Sequence, residues 1–218
     1  GTYKCYECRK PFTVKVGTVF EASHVPMRHW LQSIFLMASS KKGISTNQLQ
    51  RMLGCSMKTA WFLSHRIREA MRSGDLAPFG SNGGAVEVDE TFIGKDRQNP
   101  PVDGKRGFAN MNKVLSLVDR ETGAARSFVI KDLRMSTILP ILEKNISREA
   151  RLMTDEAPRY KNISHNFAGG HGVVNHVKDE YVNAEDPTIH TNTVEGFYSI
   201  FKRGMRGVYQ HCDQRHLH

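Results

Sequence analysis

The sequence predicts a mixed α/β domain preceded by a basic, helical segment. Residues 25–72 show capped helical periodicity, whereas from residue 85 onward strand-like and helix-like stretches alternate. Charge divides at nearly the same place. Residues 1–84 hold 12 Lys/Arg against 4 Asp/Glu, and residues 85–218 hold 19 against 18. The formal net charge of +9 therefore sits almost wholly in the first third. That asymmetry fits a polyanion-binding module attached to a larger, near-neutral part.

Residues 1–24 contain Cys5-x-x-Cys8 and an alternation, Phe12, Val14, Val16, that predicts short strands. Cys5 and Cys8, followed by Arg9-Lys10-Pro11-Phe12, have the form of one knuckle of a zinc ribbon. Structural zinc takes four ligands, and His24 is the only spare one nearby. The expectation is a partial zinc-ribbon-like segment whose first knuckle has been lost upstream, with an incomplete zinc site.

Residues 25–72 are predicted to be helical. Pro26 suits a first turn, and Trp30, Ile34, Phe35 and Met37 form an apolar series. Lys42-Gly43 breaks that helix. Ser45 or Thr46 caps a second helix through Leu53, Gly54 turns the chain, and Ser56 caps a third through Met71. This is helix-turn-helix form, with Leu49, Met52, Leu53, Ala60, Leu63 and Ile67 as its core. Ser56, Lys58 and Thr59 are placed to meet bases or backbone, and His65, Arg66 and Arg68 to hold phosphates. An αα-hairpin without a DNA role has the same pattern; the charge excess favours DNA.

Residues 73–84 have linker composition. Strands follow at Val86–Ile93, Lys113–Asp119 and Ala125–Lys131, the last two joined by a turn at Glu121-Thr122-Gly123. A helix at about Ser136–Ile146 leads to a strand at Arg151–Thr154. A looser His-, Asn- and Gly-rich region holds a strand near Val173–Val177, and a final helix starts near Thr191. Three strands, helix, strand, helix is the order of a ribonuclease-H-like domain, although other mixed α/β folds share it.

Acids interrupt the first of these strands. Asp89, with Glu87 or Thr91, projects to one side, and Val86 and Val88 to the other. Asp155 ends another strand, where α/β sheets build sites. On the last helix Asn192, Glu195 and Lys202 share roughly one face, opposite Val194, Phe197, Ile200 and Phe201. Two carboxylates and a third oxygen ligand suit two Mg²⁺ or Mn²⁺ ions, an arrangement that serves in-line phosphoryl transfer.

Other classes find less support. The longest apolar stretch, near Ile34–Ala38, is far short of a membrane span, and no signal-peptide pattern is present. The four cysteines, including the isolated Cys55 and Cys212, form no disulfide framework, so a reducing, cytoplasmic setting is expected. His165, His171, His176 and His190 match no compact metal-ligand spacing. There is no Gly-rich phosphate loop, and no Ser or Cys nucleophile stands out.

Three blocks resemble the signatures of ISXO-type insertion-sequence transposases, bacterial enzymes of the DDE class related to the eukaryotic Merlin elements. They are Asp89-Glu90-Thr91-Phe92-Ile93-Gly94, Thr154-Asp155-Glu156 and the run His190–Gly204. The resemblance runs through nearly the whole chain and implies Asp89 and Asp155 as the first two catalytic, metal-binding carboxylates. For the third ligand, the seven-residue spacing to Lys202 favours Glu195, whereas the family description favours Asn192. Lys202, Arg203 and Arg206 would touch phosphates beside the scissile bond, and His190 would contact DNA or cap the helix. The family usually shows two glycines after Phe-Ile; here Gly94 is followed by Lys95. The family also continues beyond Leu217-His218, so residues 85–218 are expected to be a C-terminally incomplete catalytic domain. The implied partners are double-stranded DNA, both terminal inverted repeats and target, and further copies of the chain, near the bacterial nucleoid. The alternative is an inactive, transposase-derived DNA-binding protein.

Overall fold

A computed structural model describes residues 1–71, 77–96, 108–175, 182–183, 185–210, 214 and 217. Residues 73–76 of the linker, and His176, Val177, Cys212, His216 and His218, lie outside the described residues. The chain forms two compact units, Gly1–Asp75 and Leu76–His218.

The first unit opens with a small antiparallel pair, β1 (Tyr3–Lys4) and β2 (Pro11–Phe12). Val14 and Val16 do not extend it. Both are exposed, and the Val16 N–H turns back to the Thr13 carbonyl at 3.1 Å, so these residues make turns. Three helices follow: α1 (Met27–Ser39), α2 (Thr46–Leu53) and α3 (Met57–Ala70). Pro26 stands just outside α1 at its N-cap. Ser45 caps α2 by accepting the Gln48 N–H, and Ser56 caps α3 by accepting that of Thr59. Between them Gly54 is left-handed (φ 64°), the conformation that ends α2 and that a side chain disfavours.

Trp30, Leu63 and Ile67 form one buried cluster of this unit, and Ile44, Leu49 and Ala60 another. Val19 and Phe20, expected in the zinc-ribbon-like segment, pack on the Trp30 cluster instead. Phe35, read as part of the apolar series of α1, and Met52, expected in the core, are 70% and 54% exposed. Phe35 follows Ile34 by 100° of helical rotation, which turns it away from the stripe that Trp30 and Ile34 share.

The second unit is a five-stranded mixed sheet with helices. Its strands are β3 (Ala85–Ile93), β4 (Asn112–Asp119), β5 (Ala125–Ile130), β6 (Arg151–Asp155) and β7 (His171–Val174), in the order β5-β4-β3-β6-β7. β3, β4 and β5 are antiparallel neighbours; β3 and β6, and β6 and β7, are parallel. Asp119 shapes the β4–β5 turn, its Oδ1 accepting the Glu121 and Thr122 N–H groups and its Oδ2 that of Gly80.

Helix α4 (Met135–Asn145) buries Ile138 and Leu142 on the main core with Val86, Val88, Leu115, Leu117 and Leu152. Tyr160, Ile163 and Phe167 close the same core. Helix α5 (Asn192–Gly204) forms a separate cluster through Val194 and Tyr198 with Val118. Since Val118 alternates with Leu115 and Leu117 across β4, α4 and α5 cover opposite faces of the sheet. Residues 77–84, read as linker from composition, pack within this unit. Phe79 is buried in the main core and exchanges backbone hydrogen bonds with Asn145 and Ser147, both 2.8 Å. Among the described residues no helix is long and apolar enough to cross a membrane.

Candidate active site and candidate nucleic-acid contacts

Nine-residue β3 divides its side chains between two environments. Val86 and Val88 enter the apolar core under α4, whereas Glu87, Asp89 and Thr91 take the α5 side. Asp155 ends β6, which runs parallel beside β3 with Glu87 opposite Met153. Continuing that register by two residues carries Asp89 alongside Asp155. Helix α5 is tied to β3 by the Tyr198 hydroxyl, which donates to the Asp89 carbonyl at 2.6 Å. The Val194 N–H donates to Glu87 Oε2 at 2.8 Å.

Burial pushes the Asp89 carboxyl up from 3.8 to about 7, and the charges of Glu90, Asp155 and Glu195 push the same way. Its one opposing influence is the Glu90 N–H, 2.7 Å from Oδ1. Asp89 thus feels both other predicted carboxylates through a poorly solvated interior. Among the described residues no three His, Cys, Asp or Glu side chains stand close enough together to hold a metal ion. The side chains whose charges reach Asp89 nevertheless all offer oxygen, which suits a hard divalent cation and no soft one.

The other predicted residues of this unit are spread along α5 and past its end. Asn192 is the exposed first residue of α5, and Glu195 is half-buried, accepting the Thr191 hydroxyl at 3.3 Å. Lys202 lies over the Tyr198 ring, Nζ 5.6 Å from its centroid. Arg203 donates to the Ser199 carbonyl at 3.1 Å, and exposed Arg206 lies in the wider turn Met205–Tyr209 that continues α5. The expected apolar face of α5 needs one correction. Ile200 is 49% exposed, and Tyr198 is the buried residue, because its ring packs inward while its hydroxyl still finds a backbone partner.

Glu90 belongs to the opposite face. It accepts the Tyr160 hydroxyl at 2.5 Å and lies 3.5 Å from Arg159; burial raises its carboxyl above the ordinary value. Glu87 is the residue whose role sequence reasoning left open. It is wholly buried and meets Arg120 Nε at 2.6 Å. Its place on the Asp89 face was legible; its partner was not, because Arg120 reads only as part of a turn.

In the first unit, Lys58 is exposed on the first turn of α3. The Ser56 and Thr59 hydroxyls, 2.9 Å apart, are joined in the cap. The His65 ring lies 4.4 Å from that of Trp61. Arg66 differs from expectation: it donates to the Glu21 carbonyl at 2.8 Å and lies over the Phe62 and Trp30 rings. A guanidinium so held serves the unit's own packing before any phosphate. Cys5 is held by the Lys10 carbonyl through its N–H, 3.0 Å. The N–H groups of Cys8 and then Glu7 hold its thiol below the ordinary value. The pair offers two of the four ligands that structural zinc takes.

A model of the ISXO2-like transposase domain matches residues 82–218. The chain is 28% identical over 223 residues to an uncharacterized protein in transposable element ISH50 of Halobacterium salinarum, covering 94% of this chain and 72% of that protein. It is similar, at 15% identity and a TM-score of 0.34, to a chain from the cryoEM structure of a simian T-cell lymphotropic virus intasome in complex with PP2A regulatory subunit B56 gamma. That match spans 72% of this chain and 59% of the other. With the five-stranded sheet, Asp89, Asp155 and Glu195, and more than half its length inside that domain, the chain belongs to the ISXO2-like transposase family.

Proposed function

We propose that the protein is a DDE-type transposase with a ribonuclease-H-like catalytic domain, which binds element-end DNA and catalyses divalent-metal-dependent strand cleavage and strand transfer. The observation that carries this reading is the position of Asp89. It lies mid-strand, half-buried, beside the strand that ends at Asp155 and under the helix that bears Glu195. A partly buried carboxylate among carboxylates, its charged form disfavoured, calls for a cation.

Asp89 and Asp155 would hold Mg²⁺ or Mn²⁺, with Glu195 or Asn192 supplying the third ligand. The bound cations would activate the attacking oxygen and stabilise the leaving one. The chain's own residues do the rest. Asp89 stays rigid through its Glu90 and Tyr198 hydrogen bonds. Lys202, Arg203 and Arg206 hold phosphates of the strand being cut. In the first unit α2 and α3 act as a helix-turn-helix, with Lys58, Ser56 and Thr59 at the groove and His65 beside it, and Cys5 and Cys8 contribute to a zinc site. A dimer on paired DNA ends is the expected assembly.

The test uses the full chain and a duplex of the DNA that flanks its gene. Asp89→Asn and Asp155→Asn should keep duplex binding and abolish Mg²⁺- or Mn²⁺-dependent cleavage. Loss of cleavage in Glu195→Gln but not in Asn192→Ala would assign the third ligand to Glu195, and the reverse to Asn192. A wild-type protein that binds the duplex and never cuts it with either metal would refute the enzyme and leave a DNA-binding descendant.

A further inference from the structure

Glu87 has no place in the reading above, yet it is wholly buried and both its oxygens are occupied. Oε1 takes the Arg120 Nε–H at 2.6 Å, and Oε2 takes the Val194 N–H at 2.8 Å. Val194 is the third residue of α5, so the carboxylate satisfies an N–H that the helix itself leaves free, at the end that favours negative charge. Arg120 reaches past Glu87 to the segment entering α5. It donates to the Thr188 carbonyl at 2.6 Å, the His190 carbonyl at 2.5 Å and His190 Nδ1 at 2.9 Å. His190 Nδ1 also lies 3.2 Å from Glu87 Oε1, an ion pair only for a protonated ring. Arg151, beside it on β6, grips the same segment through Asp186 (2.6 Å) and Thr188 (2.7 Å).

The clamp stands next to the candidate ligands on both sides. Glu87 precedes Asp89 by two residues on one face of β3. Val194 adjoins Glu195 and follows Asn192 by two residues. An apolar contact of the same volume would hold helix to sheet at least as well, because burying a charge is costly. A carboxylate bonded at both oxygens adds direction: it fixes the rotation of α5 and its height above β3.

We propose that Glu87 and Arg120, with His190, are positioning residues that set the distance and rotation at which α5 presents Glu195 and Asn192 to Asp89. This rests on the metal-site reading above. Glu87→Gln puts an amide N–H₂ where either Arg120 or Val194 needs an acceptor. Arg120→Lys keeps the charge and loses the fork that spans Glu87 and residues 188–190.

The experiment measures Mn²⁺ uptake by the full-length wild type and both variants, from the electron paramagnetic resonance of free Mn²⁺, with Asp89→Asn as reference. Hydrogen exchange at the Val194 amide and duplex affinity are measured alongside. The expected result is a rise of about ten-fold or more in half-saturating Mn²⁺ in both variants, with faster Val194 exchange and unchanged duplex affinity. A role confined to stability would lower the melting temperature and leave Mn²⁺ affinity per folded molecule at the wild-type value; that outcome overturns the proposal. Should Glu87→Gln fail to fold, Arg120→Lys decides alone. A wild type that takes up no Mn²⁺ would overturn the metal-site reading and this proposal together, whereas wild-type uptake equalled by the variants sinks only the clamp.

Discussion

Asp89→Asn should make the metal-free protein more stable while removing its response to metal. The Asp89 carboxyl is pushed from 3.8 up to about 7, chiefly by burial. Between those values the unfolded chain is ionised and the folded chain keeps its proton, so stability falls as pH rises at about 1.4 kcal/mol per pH unit. Above about 7 both states are ionised and the full penalty is present, at most about 4 kcal/mol. Asparagine keeps an oxygen for the Glu90 N–H at 2.7 Å and removes the charge. Its gain in EDTA should therefore be about 4 kcal/mol at pH 8 and only about 1.5 kcal/mol at pH 5. Both tryptophans, Trp30 and Trp61, lie in the first unit, so the assay is urea unfolding followed by far-ultraviolet circular dichroism. Adding Mn²⁺ at pH 8 should stabilise the wild type and leave Asp89→Asn unmoved. A variant no more stable than wild type at pH 8, or one whose gain is the same at both pH values, would refute the picture of a strained, half-buried carboxylate.

Other expectations separate packing from recognition. Lys58→Ala should weaken duplex binding at every sequence and reduce the salt slope by about 1, read by fluorescence anisotropy over a salt series. Arg66→Ala should instead cost about 1–2 kcal/mol of first-unit stability, through the lost ring and carbonyl contacts, and shift the Trp30 emission. Ser56→Ala removes the cap of α3 and should lower that unit's stability by about 1 kcal/mol in the same fluorescence melt. At Gly169 an added Cβ would stand 2.4 Å from the Glu149 carbonyl oxygen and 2.5 Å from the Ala150 backbone. Gly169→Ala should therefore destabilise the second unit by about 2 kcal/mol or more, and an unchanged urea midpoint would show that the loop yields freely.

The parts of this fold that were legible are those with local causes. Ser45, Gly54 and Ser56 mark the ends of α2 and α3 because a cap or a left-handed residue acts within one turn. β3, β4 and β6 were legible from apolar runs, and the acids in β3 stood out against them. What stayed hidden depends on distant partners. Glu87 meets an N–H 107 residues away, and Arg120 joins a loop about 70 residues further on. Phe79 sits amid Pro, Gly and Ser, whose composition marks a turn but says nothing of what one aromatic ring among them packs against. Arg66 was read from its charge, although its stem and plane are used by Trp30 and Phe62.

The alternation along β3 also bears on how the sheet finds its pairing. Sliding β3 by one residue against β4 would carry Glu87, Asp89 and Thr91 into the oily layer beneath α4 and turn Val86 and Val88 outward. Three polar groups entering that layer unpartnered make the slipped ladder far costlier than a slip in an all-valine strand. The acids that make β3 chemically interesting thus act as register marks during folding. Replacing them all with apolar residues would yield a chain with less electrostatic strain and more ways to misassemble its central strand.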